Sequence, residues 1–219
     1  MISRREFILG SAAVALTSRA AGTVAQTPEL PLVNDVHSQL NPTRVLNVLQ
    51  PRTLEAVQNI VRTAAKHRQV ISVAGGRHAM GGQQFGAGTL LIDIRKMNRV
   101  LHLDRDRGIL EVEAGIEWPE LINDYINLQS ADAKPWGIAQ KQTGADRFTI
   151  AGTMAANAHG RGLKMKPFIS DVESFLLVDA TGRPIPAVEP RMPNCFAWYT
   201  VGTGSLEWSH PHDCDSCPE

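Results

Sequence analysis

Gly75-Gly76-Arg77-His78-Ala79-Met80-Gly81-Gly82 is the stretch of this 219-residue chain whose residue types and spacing point most directly to chemistry. Glycine has no Cβ, so backbone N–H groups in such a loop can come close to an anion. Successive N–H groups in a tight turn also form a concave nest that suits a pyrophosphate. The spacing is neither G-x-G-x-x-G nor a P-loop ending in Lys-Ser/Thr. A plain hairpin turn would account for the paired glycines but not for Arg77-His78 between them. A second stretch of small residues and glycines runs from Thr143 to Gly160. A third constellation, His210, His212, Cys214 and Cys217, has H-x-H-x-C-x-x-C spacing, a pattern with which four ligands could hold zinc tetrahedrally.

The elements that would position the first two stretches are legible as local patterns. Thr53 is placed to cap a helix running to about His67, with Leu54, Val57, Ile60, Val61 and Ala64 on one face. Val70 to Ala74 reads as a short strand that delivers the chain into Gly75-Gly76, and Leu90 to Ile94 as another buried strand. Val100 to Leu103 and Ile109 to Val112 flank the polar turn Asp104-Arg105-Asp106-Arg107-Gly108 and predict a hairpin. Glu117 to Leu128 predicts a helix with Trp118, Leu121, Ile122 and Tyr125 as its apolar stripe. Val172 to Val178 predicts a final strand before the Thr181-Gly182 turn, while residues 28–51 read as extended chain with turns. Strands and helices are mixed, which makes the class α+β. Asp93 and Asp104 read as a strand end and a turn residue, and His159 as a residue beside a bound ligand or a loop histidine on backbone.

Bulk properties narrow the field. Lysine plus arginine and aspartate plus glutamate both number 22, and the basic residues are dispersed, so a polyanionic partner such as nucleic acid is disfavoured. No apolar run is long enough to span a bilayer. All three cysteines, Cys195, Cys214 and Cys217, lie near the C-terminus, so no disulfide framework holds the body. Ser3-Arg4-Arg5-Glu6-Phe7-Ile8 has the form of a twin-arginine export signal, followed by a short apolar stretch and by Thr23-Val24-Ala25, where a signal peptidase could cut. The expectation is a signal over residues 1–26 and an exported, periplasmic or secreted protein. Twin-arginine export carries folded proteins and suits a tightly held cofactor.

Taken together, Val73 to Phe85 and Thr143 to Gly160 resemble the two flavin loops of the vanillyl-alcohol-oxidase-like, PCMH-type flavoproteins, over roughly Asn41 to Pro184. The resemblance implies an FAD-binding domain over residues 27–185, built of two α/β subdomains. It implies that Gly75, Gly76, Arg77 and Ala79 surround the FAD diphosphate, that Ala74 belongs to the cofactor-binding set and that Gln83 faces the cofactor. From the second loop it carries over Asp146, Thr149, Gly152, Thr153, Asn157 and Gly160. His78 matches a histidine often bonded to the flavin 8α-methyl group; a non-covalent contact and a satisfied loop histidine are the other readings. Doubly linked relatives also use a cysteine, which the body of this chain lacks, so at most one link is implied.

In such flavoproteins FAD takes a hydride from a carbon bearing a hydroxyl or amine and passes the electrons to oxygen or another acceptor. An alcohol, sugar or hydroxy-acid substrate is implied, bound by a C-terminal substrate domain that this chain lacks, so no catalytic base is assigned and little or no turnover is expected. Residues 186–219 depart from the resemblance. Read one base out of frame from Met192, codons for these residues can encode Ala-Glu-Leu-Phe-Arg-Leu-Val-His-Gly-Gly-Tyr-Gly-Leu-Phe-Gly-Val-Val, the segment the resemblance calls for. The expectation is a shifted frame from about Pro184–Val188 onward, in which case the tail histidines and cysteines serve no metal. The rival readings are a non-catalytic flavin-binding fragment, a secreted metal-binding protein using the tail, and an NADPH-dependent reductase. An exported protein would not meet NADPH.

Overall fold

The structure is a computed structural model that describes residues 29–141, 146–160, 162, 166–188 and 203–207. The export signal and the His210 to Cys217 cluster lie outside the described residues.

The described residues open with a small antiparallel pair, β1 (Leu32–Val33) and β2 (Thr43–Arg44). Next come β3 (Asn47–Leu49), α1 (Leu54–Lys66), β4 (Ile71–Ala74) and β5 (Leu90–Asp93), whose strands form a parallel sheet in the order β3-β5-β4. β3 and β4 run the same way on either side of β5, and α1 is the crossover that connects them. The helix starts where Thr53 Oγ1 accepts the Ala56 amide at 3.2 Å, with Glu55 in the first turn and Lys66 in the last. Those charges complement the helix dipole. Val57 and Ala64 are fully buried, and Leu54, Ile60 and Val61 pack beside them against Ile92, Ile94 and Met97.

The second unit is built on an antiparallel sheet of β6 (Val100–Asp104), β7 (Ile109–Glu113), β8 (Val172–Val178), β9 (Pro184–Val188) and β10 (Thr203–Glu207), in the order β6-β7-β10-β8-β9. The β6–β7 hairpin turns where Asp104 Oδ1 accepts the amides of Asp106 and Arg107. Between β7 and β8 lie α2 (Trp118–Leu128) and α3 (Ile150–Ala155). Trp118, Leu121 and Tyr125 of α2 are buried beneath Leu110, Val112, Phe168 and Val172, with the Trp118 ring edge-on to Phe168. β9 and β10 have no counterpart in the sequence reading, and β10 lies in the segment expected to be out of frame. Here it runs between β7 and β8, antiparallel to both.

The architecture is thus α+β, two sheet-and-helix units as expected. One core spans their junction, joining Val57, Ile92, Ile94 and Met97 to Ala114, Ala151 and Val178. Gly115 makes this junction close: its amide donates to the Met97 carbonyl at 2.9 Å, and a Cβ there would overlap the carbonyl of Ile94. No helix among the described residues is long and apolar enough to cross a membrane.

Candidate cofactor site

The two glycine-rich loops meet across the junction. β4 ends at Ala74, which is buried, and releases the chain into Gly75 and Gly76. A Cβ on Gly75 would overlap Thr149 Oγ1, and one on Gly76 would overlap the carbonyl of Arg147. These glycines are therefore needed to let the first loop press on the second, a tertiary demand beside the anion nest that the sequence leads one to expect. Among the described residues no acceptor takes a hydrogen bond from the amides of half-buried Gly75 through His78. Buried or half-buried amides in folded proteins nearly always have a partner. This run of donors is where an anionic group fits.

Arg77 turns the loop. Its φ is +59°, in the left-handed region that non-glycine residues rarely enter. Its Nη2 donates to Asp93 Oδ2 at 3.1 Å, and its Nε is buried with no partner among the described residues. Asp93, fully buried at the end of β5, also accepts from Arg95 Nε at 2.9 Å, from Arg95 Nη2 at 2.6 Å and from Gln50 Nε2 at 3.3 Å. Burial works to raise the Asp93 pKa, but the Arg95 hydrogen bond and charge, with Gln50, outweigh it and hold the carboxyl below its usual range. Asp93 is a strand end, as read from sequence, and also the anchor of the loop arginine.

His78 sits between the loops. Its Nε2 is 2.9 Å from the carbonyl oxygen of Arg147, and its ring stands edge-on to Phe148 with centroids 4.6 Å apart. Its Nδ1 is 2.8 Å from Nε2 of His37. Burial is the main cause holding the His78 pKa below the usual imidazole range; the neighbouring His37 adds to this, while the Arg147 carbonyl and Glu117 oppose it.

Thr149 and Thr153 spend their hydroxyls inside the protein. Thr149 Oγ1 caps α3 by accepting the Gly152 amide at 3.1 Å. Thr153 Oγ1 donates to the Thr149 carbonyl and accepts from Trp118 Nε1, both at 3.0 Å. Both side chains position the second loop, and what they can offer a cofactor is backbone. Thr149→Val keeps the shape but leaves the Gly152 amide without its acceptor. A loss of about 1 kcal/mol in chemical denaturation is expected.

The other residues singled out in the sequence are placed as follows. Ala79 and Gln83 are exposed on the first loop, with Gln83 folded back over Gly81. Gly152 is exposed at the start of α3. Asp146 is an exposed turn residue paired with Lys141. Asn157 leaves α3 with φ +47°, and Gly160 packs on the Lys141 carbonyl and Gln140. His159 Nδ1 lies 2.9 Å from the Gly160 carbonyl, as a loop histidine on backbone would. Gln140 was not singled out, yet it clamps the exit of this loop. Its Nε2 donates to the Lys166 carbonyl at 2.9 Å and to Asp171 Oδ2 at 2.7 Å, and its Oε1 accepts the Gly160 amide.

Sequence reasoning also missed the segment Asn34 to Asn41, read only as extended chain with turns. Buried Asp35 gathers the amides of His37, Ser38 and Gln39 on one carboxylate oxygen and Ser38 Oγ on the other. The segment is bonded to the first loop, Val36 N donating to the Arg77 carbonyl at 3.0 Å and Asn41 Nδ2 to the Met80 carbonyl at 2.6 Å. The signal was present in Asn34-Asp35 and Ser38, since Asx and Ser residues fold chain ends back on their own amides.

Burial tends to raise the Asp35 pKa, but the hydrogen bonds from Ser38, Gln39 and His37 outweigh it and hold it at about 2. A lowered carboxylate pKa stabilises the fold above the unfolded value, near 3.9, and that contribution is lost as pH falls through the folded value. The stability difference between wild type and Asp35→Asn is therefore expected to stay level above about pH 5. Urea titrations should show it closing between about pH 4 and pH 2.

Comparison with known proteins agrees with this geometry. The family described as FAD binding domain matches residues 45–186. The chain is 27% identical over 158 residues to L-gulonolactone oxidase of Mus musculus, covering 72% of this chain and 34% of that protein. It is 30% identical over 120 residues to D-2-hydroxyglutarate dehydrogenase of Escherichia coli (strain K12), covering 52% of this chain and 11% of that protein. Among solved structures, an alkyldihydroxyacetonephosphate synthase superposes with a TM-score of 0.62 at 21% identity, over 74% of this chain and 34% of that one. A variant of berberine bridge enzyme superposes with a TM-score of 0.61 at 19% identity, with the same coverage. These two likenesses speak for the fold. The chain spans about a third of the length of the first curated relatives it matches. With the matched domain covering most of the chain and both glycine loops joined as a cradle, the chain belongs to the FAD-binding, PCMH-type flavoprotein family, and its cofactor is FAD.

Proposed function

We propose that this chain is the cofactor-holding part of an oxidoreductase that removes a hydride from a hydroxyl-bearing carbon of a lactone, sugar or hydroxy acid. The observation that carries the reading is the cradle itself: half-buried amides from Gly75 through His78 that have no acceptor among the described residues, braced by Thr149 and Arg147, with His78 at its edge. The fit to FAD follows from chemistry. The amide run and the Arg77 guanidinium suit the diphosphate, and Phe148 and His78 suit the rim of a flat ring system. When bound, the flavin supplies two-electron redox chemistry. The chain's own residues hold it, exclude water around the loop junction and keep His78 neutral and oriented. The substrate class is taken from relatives, which include a lactone oxidase and a hydroxy-acid dehydrogenase.

His78 is read as the residue that bonds to the flavin, a link that would prevent cofactor loss outside the cell. Export is part of the same proposal and rests on Arg4-Arg5 and the apolar stretch after them. Replacing both arginines by lysine should leave the protein in the cytoplasm; unchanged export would end that part of the reading. Among the described residues no group of three or more His, Cys, Asp or Glu side chains is placed to hold a metal ion.

The deciding experiment supplies excess FAD to the purified protein and follows visible absorbance. Bound colour supports the cofactor role, and colour that survives acid precipitation supports the His78 link. Anaerobic bleaching by a hydroxy acid, aldose or aldonolactone supports the oxidoreductase reading. Bound flavin that none of these bleaches leaves a flavin-binding fragment instead.

A further inference from the structure

We propose that His37 is the positioning residue for His78, holding its ring in the one tautomer and orientation that presents Nδ1 for attachment to the flavin; this rests on the reading of His78 as the linked residue. The argument starts from hydrogen-bond chemistry at both ring nitrogens. A carbonyl oxygen only accepts, so the 2.9 Å contact from His78 Nε2 to the Arg147 carbonyl puts the proton on Nε2. In a neutral imidazole the other nitrogen then carries the lone pair. That nitrogen, Nδ1, lies 2.8 Å from His37 Nε2, so His37 donates to it. Flipping the ring would aim carbon atoms at both partners and lose both bonds. The two contacts together leave one orientation.

His37 is itself held for this task. Its amide donates to Asp35 Oδ1 at 3.0 Å, and Asp35 also gathers the two amides that follow. The Val36 amide bonds to the carbonyl of Arg77, the residue before His78, so both rings hang from backbones tied to each other. The rings lie 4.8 Å apart, tilted by 52°. His37 is exposed and makes no contribution to the buried core. Its one side-chain bond among the described residues is the one to His78. A purely structural surface histidine has no need of a turn this heavily braced.

Attachment replaces one hydrogen of the flavin 8α-methyl group. The C–H bond breaks, the bond from Nδ1 to that carbon forms, and the electron pair of the C–H bond passes to the flavin ring. Dioxygen is the oxidant that takes this pair and leaves as hydrogen peroxide. The peroxide hydrogens are balanced by the methyl hydrogen and the Nε2 hydrogen of the imidazole. His37 and the Arg147 carbonyl hold the ring up to this point; the His37 hydrogen bond gives way as the Nδ1 lone pair takes the carbon, and the bond to the Arg147 carbonyl ends as the Nε2 proton leaves.

The test incubates the full chain with excess FAD in air and follows acid-stable flavin fluorescence over time, with the mass of the His78 peptide as the site readout. Wild type, His37→Ala, His37→Gln and His78→Ala are compared, together with the affinity for FAD added in the dark before attachment proceeds. The expected result is attachment slowed on the order of 10- to 100-fold in His37→Ala, the scale on which misplacing a reacting group costs rate. Affinity and thermal midpoint should stay at wild-type values, and His37→Gln, which keeps a donor near the Nε2 position, should recover most of the rate. Attachment in His37→Ala at the wild-type rate overturns the role of His37 and leaves the His78 link standing. Wild type that binds FAD without acid-stable fluorescence, or a mass gain on another peptide, overturns the His78 reading and this proposal with it.

Discussion

Gly75→Val is expected to weaken FAD binding by about tenfold to a hundredfold, the largest effect of any single substitution on the first loop. The new Cβ would overlap Thr149 Oγ1 and stand 3.0 Å from Thr149 Cγ2. Thr149 has nowhere to retreat. It is buried, its hydroxyl caps α3, and its backbone pairs with Glu117. Forcing methyl groups into such a contact costs about 1–3 kcal/mol. Loss of the cap adds about 1 kcal/mol if Thr149 rotates away. A domain stable by about 5–15 kcal/mol survives this, but its two loops separate, and every 1.4 kcal/mol of strain relieved in the free state is about tenfold in affinity. Titration of FAD by flavin fluorescence checks it. Gly88→Ala is the control: unlike Gly75, Gly88 has a positive φ, at +68°, and a Cβ there meets nothing within 4 Å. It should lose about 1 kcal/mol of stability from the backbone alone and leave FAD affinity unchanged. Equal affinities in Gly75→Val and Gly88→Ala would mean that the loops do not act as a clasp.

Asp93→Ala is expected to cost about 3–5 kcal/mol of folding stability, because a buried ion pair that loses one partner leaves the other charge uncompensated. Two arginines depend on this carboxylate. Arg77 keeps 18% of its side chain exposed and Arg95 35%, so Arg95 can find water while Arg77 cannot do so fully. The Arg77 guanidinium already carries one buried Nε without a partner among the described residues, and its backbone holds a left-handed conformation that costs about 1–2 kcal/mol. Released from Asp93, Arg77 is expected to relax toward negative φ and carry His78 off the Arg147 carbonyl. Two readouts follow: the urea midpoint falls, and acid-stable flavin falls with it. A double-mutant cycle with Arg77→Ala separates them. Coupling of about 0.5–3 kcal/mol is expected for groups in direct contact. Additive losses would mean that Asp93 serves Arg95 alone and that the loop keeps its shape without it.

How much of this could be read from the chain itself varies element by element. Helix α1 was legible down to its Thr53 cap, and Val57 and Ala64 of its predicted face are fully buried. The β6–β7 hairpin, α2 with its Trp118, Leu121 and Tyr125 stripe, and the strand leading into Gly75 were legible in the same way. In each case the determining interactions join residues a few positions apart: a cap, a periodic apolar face, a polar turn. The two glycine loops were legible as loops, and resemblance pointed to a dinucleotide.

What joins those loops was not legible. His78 meets His37 across 41 residues and the Arg147 carbonyl across 69. Trp118 claims the Thr153 hydroxyl across 35 residues, which leaves this residue only its backbone to offer a cofactor. Gly75 reads in sequence as room for an anion, and only the folded chain shows that the space is first taken by Thr149. The alternation of side chains along β7 likewise says nothing of whether β10 or another strand will lie beside it. Residue order by itself determined the local geometry of this protein, because caps, turns and periodic faces act over a turn or two of chain. Tertiary structure alone decided which donors meet which acceptors, because those partners become neighbours only once both sheets have closed on their shared core.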